Sequence, residues 1–375
     1  RRHTRLGRWS RGLGDVYKRQ PLITPFKTSL RTVDEIADVV LMIETDTGQV
    51  GYGSAPATAV ITGETHGSII EAIRKVISPH IIGREIANLN RLTEIIQESI
   101  VKNFSAKAAV EIAIYDLFGQ LYGAPIYKLL GGGDNVITTD ITISVDYIDK
   151  MVQDSKDAVE RGFETLKVKV GKDPALDIER IKAIHAAVSD RALIMLDANQ
   201  GWSPKQAVSV LRKLEEAGVR LELVEQPVSG EDIDGMKYVT DRVHTPVMAD
   251  ESSFGPREAI EVITGRAADI INIKLMKTGG MSNAVKIADI ASVYGTECMI
   301  GCMLESSIGV AAAAHIAAAR PSVITKVDLD TPSLGEYDPV VSGVKFDNAE
   351  ITITDAPGLG ITEVGDLEML DIECS

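Results

Sequence analysis

From position 136 onward, short apolar runs alternate with longer amphipathic stretches. The runs are Thr139–Val145, Thr165–Val170, Ala192–Leu196, Leu221–Val224, Pro246–Ala249, Ile270–Leu275, Glu297–Gly301 and Ile324–Leu329. Between them, segments such as Ser203–Ala217 and Pro256–Thr264 carry apolar residues at helical spacing. Strand and helix in alternation predict a parallel sheet covered by helices, and eight units predict a closed α/β barrel of the TIM type. The segment before it reads differently. Asp38–Glu44 and Val50–Gly53 predict a hairpin turning at Asp46-Thr47-Gly48, followed by helices over Thr65–Ile81, Leu89–Val101 and Ser105–Tyr122. Gly131-Gly132-Gly133 marks a boundary, and a tail with a strand at Glu350–Thr354 and a turn at Pro357–Gly360 is expected to return to the first domain. The expected division is a capping α+β domain over 21–133 plus 340–375, and a barrel over 134–339 that carries the active site.

Charge sets the first twenty residues apart. Arg1–Gln20 carries seven Lys/Arg and one Asp, a net +6, whereas the whole chain is −15 and the remainder therefore −21. With no apolar core this segment is not a secretory signal, and residues 1–20 are read as a non-native or disordered extension. The acidic remainder argues against nucleic acid or an anionic membrane as partner. No apolar run reaches the roughly 20 residues of a bilayer span. The three cysteines, Cys298, Cys302 and Cys374, have neither metal-site nor disulfide spacing, which suits a cytoplasmic protein.

The chemistry lies at the ends of the runs. Lys169, Asp197, Glu225, Asp250 and Lys274 follow one another at gaps of 28, 28, 25 and 24 residues, about one strand–helix unit each. Barrel strands end at the catalytic face, so these side chains are expected to converge. One acid after a strand is commonly a helix cap. Three in consecutive units, Asp197, Glu225 and Asp250, form an oxygen-ligand set for Mg²⁺ or Mn²⁺. Lys167 and Lys169 share one strand face, and their proximity is expected to lower a lysine pKa towards that of a general base. Lys274 is expected opposite them. A metal flanked by two bases suits removal of a proton next to a carboxylate, through an enediolate, and its return from the other face. Asn199, Asn272, Glu251 and Ser306 are expected just behind these groups, with Glu305 a further candidate.

These motifs resemble the enolase superfamily, in its muconate-lactonizing branch. The resemblance rests on Lys167-Val168-Lys169, Asp197–Trp202, Glu225-Gln226-Pro227, Asp250-Glu251-Ser252 and Lys274–Gly280, with Ser105–Glu111, Asp116 and Leu129–Gly132 in the capping segment. It implies a modified (β/α)7β barrel with a capping domain built from both termini, and Mg²⁺ on Asp197, Glu225 and Asp250. It also implies a first capping strand just before Pro21, where Arg1–Gln20 does not read as one.

Asp328 and Asp330, in Lys326–Pro332, share a face at the eighth strand end. Two unpaired acids facing a site beside other acids are costly unless a cation arrives, and a substrate ammonium is one. The pair resembles that of dipeptide epimerases, where it binds the dipeptide's amino terminus. Lys27 and Arg31, in Pro25–Thr32, put positive charge on the loop that this family closes over the distal side chain, and they imply an acidic one. The apolar loop Thr58–Thr62 is expected to close over the other residue. The resemblance thus implies Mg²⁺-dependent epimerisation of a dipeptide at the α-carbon of its C-terminal residue, on an L-Ala-D/L-Glu type substrate, by a homo-oligomer. The alternatives are an o-succinylbenzoate synthase, an N-acylamino acid racemase, a muconate cycloisomerase and, more remotely, a non-catalytic enolase-fold binding protein.

Overall fold

The computed structural model describes residues 4, 6, 16–365 and 367–369; Cys374 lies outside the described residues. Eight strands follow one another in a single sheet: β1 Ile141–Ile143, β2 Thr165–Lys169, β3 Leu193–Asp197, β4 Leu223–Glu225, β5 Val247–Ala249, β6 Ile270–Lys274, β7 Glu297–Gly301 and β8 Ile324–Asp328. Every neighbouring pair is parallel. A helix follows each of the first seven strands, from Ile148–Glu160 after β1 to Ser307–Ala319 after β7. Several begin with proline at the first helical turn, where the missing N–H costs nothing, as at Pro174, Pro204 and Pro256.

The inward face is layered by the two-residue period of the strands. Met195, Leu223, Met248, Ile270 and Met299, from β3 to β7, form their own apolar cluster. Most stand two residues before a polar residue of the site, so the cluster lies one layer beneath it. No regular ladder joins β8 to β1 among the described residues. That seam is closed by other bonds: Asp140 N donates to Val327 O at 3.1 Å, Leu329 N to Thr139 Oγ1 at 2.9 Å, and Thr142 N to Asp330 Oδ2 at 2.7 Å.

The capping sheet pairs Val16–Lys27 with Thr32–Glu44, and the latter with Val50–Pro56, all antiparallel. The helix Phe104–Tyr122 packs directly on it. Gly53 permits this approach, because a Cβ there would lie 1.9 Å from Ala109 O. The first strand begins at Val16, five residues inside the segment that its charge set apart, and Val16–Tyr17 also pair with Glu368–Met369 of the tail. Leu6 is buried and bridges Thr45. The arginine-rich composition concealed a strand whose pairing is made by backbone groups. Earlier in the tail, Glu350–Ile353 pairs with Val136–Thr138, beside the barrel, and not with the capping sheet.

Candidate active site

Strand register lines up the polar residues. Lys169 is the partner of Asp197, and Asp197 the partner of Glu225, across β2, β3 and β4. On the far side Lys274 is level with Gly301, and Gly301 with Asp328. Gly301 leaves room for its neighbours, since a Cβ there would stand 2.7 Å from Asn272 Oδ1 and 3.0 Å from Lys274 Cε. The turns after the acids are strained: Asn199, Gln200 and Gln226 all have positive φ. Gln226 holds its turn by accepting from Asp250 N and Ser252 N at Oε1, and by donating to Val228 O and Ser252 Oγ.

The three expected metal ligands are buried and come together, each against an ammonium group. Lys169 Nζ is 2.6 Å from Asp197 Oδ2, Lys274 Nζ 2.7 Å from Asp250 Oδ2, and Lys167 Nζ 2.6 Å from Glu225 Oε2. Glu225 Oε2 and Asp250 Oδ1 have ammonium contacts but no directed hydrogen bond. Asn199 Oδ1 and both Glu251 oxygens are buried without a hydrogen-bond partner. Hard carboxylate oxygens from three adjacent strands, some free of directed bonds, fit a divalent cation of the magnesium class.

Asn199 and Asn272 each hold one of the acids. Asn199 donates to Asp197 from its backbone N (2.9 Å) and its side chain (3.2 Å), and Asn272 Nδ2 donates to Glu225 Oε1 at 2.7 Å. Glu251 is pushed up to about 8 by burial and by the charges of Asp250 and Asp197. Ser306 lies at the junction with the capping sheet, where its N donates to Asp38 Oδ2 and its hydroxyl meets Ser54 Oγ.

The expected lowering of Lys167 is corrected. Burial alone would depress it, but Asp328, Glu225, Asp197 and Asp140 outweigh burial and hold it well above the ordinary lysine range. Its ammonium is 2.5 Å from Asp328 Oδ2 and 3.4 Å from Asp197 Oδ2. Lys274 is likewise raised, by Asp250 and Glu225 against the effect of burial. Acids from other strands, distant in sequence, decide these charges, and the Lys-x-Lys repulsion does not.

One cavity is lined by Lys167, Lys169, Lys274, Asp328, Asp330 and Arg31, together with Phe26, Leu30, Val60, Ile61 and Met303–Leu304. Arg31 is half-buried, and burial lowers its pKa. Its loop is fixed by Ser29 Oγ, which donates to Ala198 O (3.2 Å) and Asn199 O (3.1 Å), and by a tight turn from Thr28 N to Arg31 O. The ring of Phe26 stands 5.7 Å from Lys169 Nζ. Lys27 is not brought into this cavity. Its ammonium pairs with Asp146 at 2.6 Å in a separate surface groove. Successive residues of an extended strand point to opposite faces, so Phe26 and Lys27 diverge.

Beside the expected residues stand Lys277, which the sequence offers only as part of Lys274–Gly280, and Asp140, which it does not single out. Lys277 donates to the carbonyls of Asp250, Ser253 and Asn272, and its ammonium is 2.6 Å from Asp250 Oδ1. Asp140, just before β1, joins Asp328 and Asp330 in a cluster with carboxylate oxygens within 4.8 Å of one another.

Comparison with known proteins agrees with this architecture. Residues 14–131 match the mandelate racemase / muconate lactonizing enzyme N-terminal domain, and residues 150–365 the enolase C-terminal domain-like family. The chain is 53% identical over 341 residues to the L-Ala-D/L-Glu epimerase of Clostridium acetobutylicum, covering 91% of this chain and 95% of that protein. It is 44% identical to a hydrophobic dipeptide epimerase of Enterococcus faecalis, covering 90% and 95%. Among solved structures, a substrate-liganded complex of the L-Ala-D/L-Glu epimerase from Bacillus subtilis superposes with a TM-score of 0.93 at 45% identity, covering 96% of this chain and 99% of that one. With both domain families matched in order, and the lysines and acids on the strands where the motifs put them, this chain belongs to the mandelate racemase/muconate lactonizing enzyme group of the enolase superfamily.

Proposed function

We propose that this protein is a Mg²⁺-dependent dipeptide epimerase that inverts the α-carbon of the C-terminal residue, with L-Ala-D/L-Glu as the preferred substrate. The observation that carries the reading is a single cavity lined by Lys169 and Lys274 from opposite sides of the barrel, by Asp328 and Asp330 at one end, and by Arg31 on the covering loop. The relatives named above are epimerases of dipeptides, and solved relatives include a dipeptide epimerase from Enterococcus faecalis complexed with Mg and L-Leu-L-Tyr.

In this reading Asp197, Glu225 and Asp250 hold the cation, which when bound offsets negative charge on the substrate carboxylate as the α-carbon loses its proton. Lys169 takes or returns the α-proton on one face and Lys274 on the other. Lys167 stays charged within its cage of acids, so it positions Asp328 and Glu225 and moves no proton. Asp328 and Asp330 receive the substrate ammonium, and Arg31 the distal carboxylate. Phe26, Leu30, Val60 and Ile61 exclude water from the reacting carbon.

The test is a dipeptide library with Mg²⁺ in deuterated water, read by mass spectrometry for α-deuterium. L-Ala-L-Glu and L-Ala-D-Glu should exchange and interconvert, and their N-acetylated forms should not. Losing the charge-assisted contact to the ammonium costs about 1.5–3 kcal/mol. Equal turnover of acetylated and free dipeptides would make this an acylamino acid racemase instead.

A further inference from the structure

The acids at the seam between β8 and β1 differ in their partners. Asp328 is paired to Lys167 at 2.5 Å, and Asp330 Oδ2 accepts from Thr142 N at 2.7 Å. Asp140 has neither kind of partner. It is 2% exposed, and both of its carboxyl oxygens are buried without an N–H or O–H donor. Its backbone is fixed, because its N donates to Val327 O and the preceding Thr139 Oγ1 accepts from Leu329 N. Asp140 and Thr142 share the inward face of β1. Thr142, the later of the two along the strand, lines the cavity, and Asp140 does not, so Asp140 sits one layer below the acids that do.

A buried carboxylate with no donor is costly, and one beside two other acids more so. The groups within reach are Asp328 and Asp330, each with a carboxylate oxygen within 4.8 Å of one of Asp140. Buried carboxyl groups this close, one of them without any donor, favour a proton held on that one. We propose that Asp140 stays protonated and turns its O–H towards Asp328 as a hydrogen-bond donor, acting as the positioning residue that presents the Asp328 anion to the ammonium of the substrate. Burial and the charges of Asp328 and Asp330 push the Asp140 pKa well up, in agreement with a neutral carboxyl. Asp328 is held low: burial opposes this, and Lys167 overcomes it. The two groups are thereby driven apart into an acid and an anion, and Asp328 is gripped by an ammonium and by a carboxyl O–H. This places a hydrogen-bond donor under the binding site, in a cluster whose composition alone suggests only acceptors. The inference rests on the reading of Asp328 as an ammonium ligand, but its primary test does not.

The infrared C=O stretch of a buried protonated carboxyl is read at neutral pH, with wild type compared to Asp140→Asn. The difference spectrum should show the loss of one protonated-acid band, whatever the enzyme's substrate. Absence of that difference would overturn the proposal. Kinetics on the dipeptide then separate the proton from the charge. Asp140→Ala should raise KM for the free dipeptide about tenfold with kcat changed less than threefold, and Asp140→Asn, whose amide still donates, should recover most of that loss. If Asn is as damaging as Ala while both keep the wild-type circular dichroism and melting temperature, Asp140 acts as an anion and the proposal fails. Calorimetric titration with Mg²⁺ decides against a metal on the seam acids: loss of a bound Mg²⁺ in Asp140→Asn would also overturn it. Wild-type protein inert on every dipeptide, yet showing the Asp140 band, would sink the functional reading and leave the proton assignment standing.

Discussion

Lys169 and Asp197 are register partners on adjacent parallel strands, and their side chains close a 2.6 Å ion pair at the mouth of the barrel. Each acid of the trio has an ammonium contact of this kind, so the charge of the trio is matched although it is almost wholly buried. A divalent cation binding there must share the carboxylates with ammonium groups. Within the trio, Asp197 and Asp250 are held below the ordinary range, burial being overcome by Lys169 and Lys167 in one case and by Lys274 and Lys277 in the other. Both are therefore ionised and ready as hard ligands across neutral pH.

Glu225 sits between them, its Oε1 accepting from Asn272 and its Oε2 touching Lys167. Glu225→Gln keeps the shape and removes the charge. Turnover should fall below detection and Mg²⁺ affinity should drop in calorimetric titration, with the circular dichroism of the fold retained. Exhaustive chelation of the wild type should likewise stop turnover, and Mg²⁺ or Mn²⁺ should restore it. Full activity in the chelated protein would exclude the metal role.

Lys169 and Lys274 reach the cavity from β2 and β6. Lys169→Ala and Lys274→Ala should each abolish epimerisation. Each variant should still wash α-deuterium into the single stereoisomer whose proton faces the surviving lysine. Near wild-type epimerisation by either variant would break the two-base assignment.

Arg31 is the one loop cation placed in the cavity, since Lys27 is neutralised by Asp146. Arg31→Met should cut kcat/KM for L-Ala-L-Glu by roughly 10²-fold, the loss of one charge-assisted hydrogen-bonding pair. A dipeptide ending in an apolar residue should change little. Lys27→Met should alter neither. Kinetics that show Lys27→Met as damaging as Arg31→Met would mean that the loop rearranges when substrate binds.

How far the sequence leads depends on where each interaction is made. The barrel was legible because short apolar runs recur eight times between amphipathic stretches, and those of β2 to β6 and β8 end at or just before a charged residue. The trio and the two lysines followed from the same spacing. Lys27 was misplaced because its partner Asp146 is 119 positions away and the loop reads as two equivalent cations. The charge of Lys167 was misjudged because Glu225 and Asp328 reach it only once the barrel closes. Val16–Gln20 was set aside on composition, although antiparallel pairing is made by backbone groups that composition does not report. Asp140 gave no signal, since an acid at the start of a strand run is commonplace and only the seam gives it meaning.

Glu305 offers a prediction independent of catalysis. It follows β7, is 2% exposed, and accepts from Met303 N at 2.8 Å through Oε1, while Oε2 is buried without a hydrogen-bond partner. Gly309 makes room for it, as a Cβ there would lie 1.9 Å from Oε2. Burial, then the charge of Asp38 from the capping sheet, raise the Glu305 pKa to about 8 from an ordinary 4.5. A carboxyl raised in the folded state stabilises the fold fully below its unfolded pKa, and that contribution is lost as pH rises through the folded value. Wild type should therefore lose stability between about pH 5 and pH 9 through this group. Glu305→Gln keeps an acceptor for Met303 N and cannot ionise. Its melting temperature should lie close to or below that of the wild type near pH 5, and several degrees above it near pH 9. Melting curves across that range decide the matter. A difference between the two proteins that stays constant with pH would mean that Glu305 is already ionised at neutral pH, and that some donor at the junction of cap and barrel compensates it.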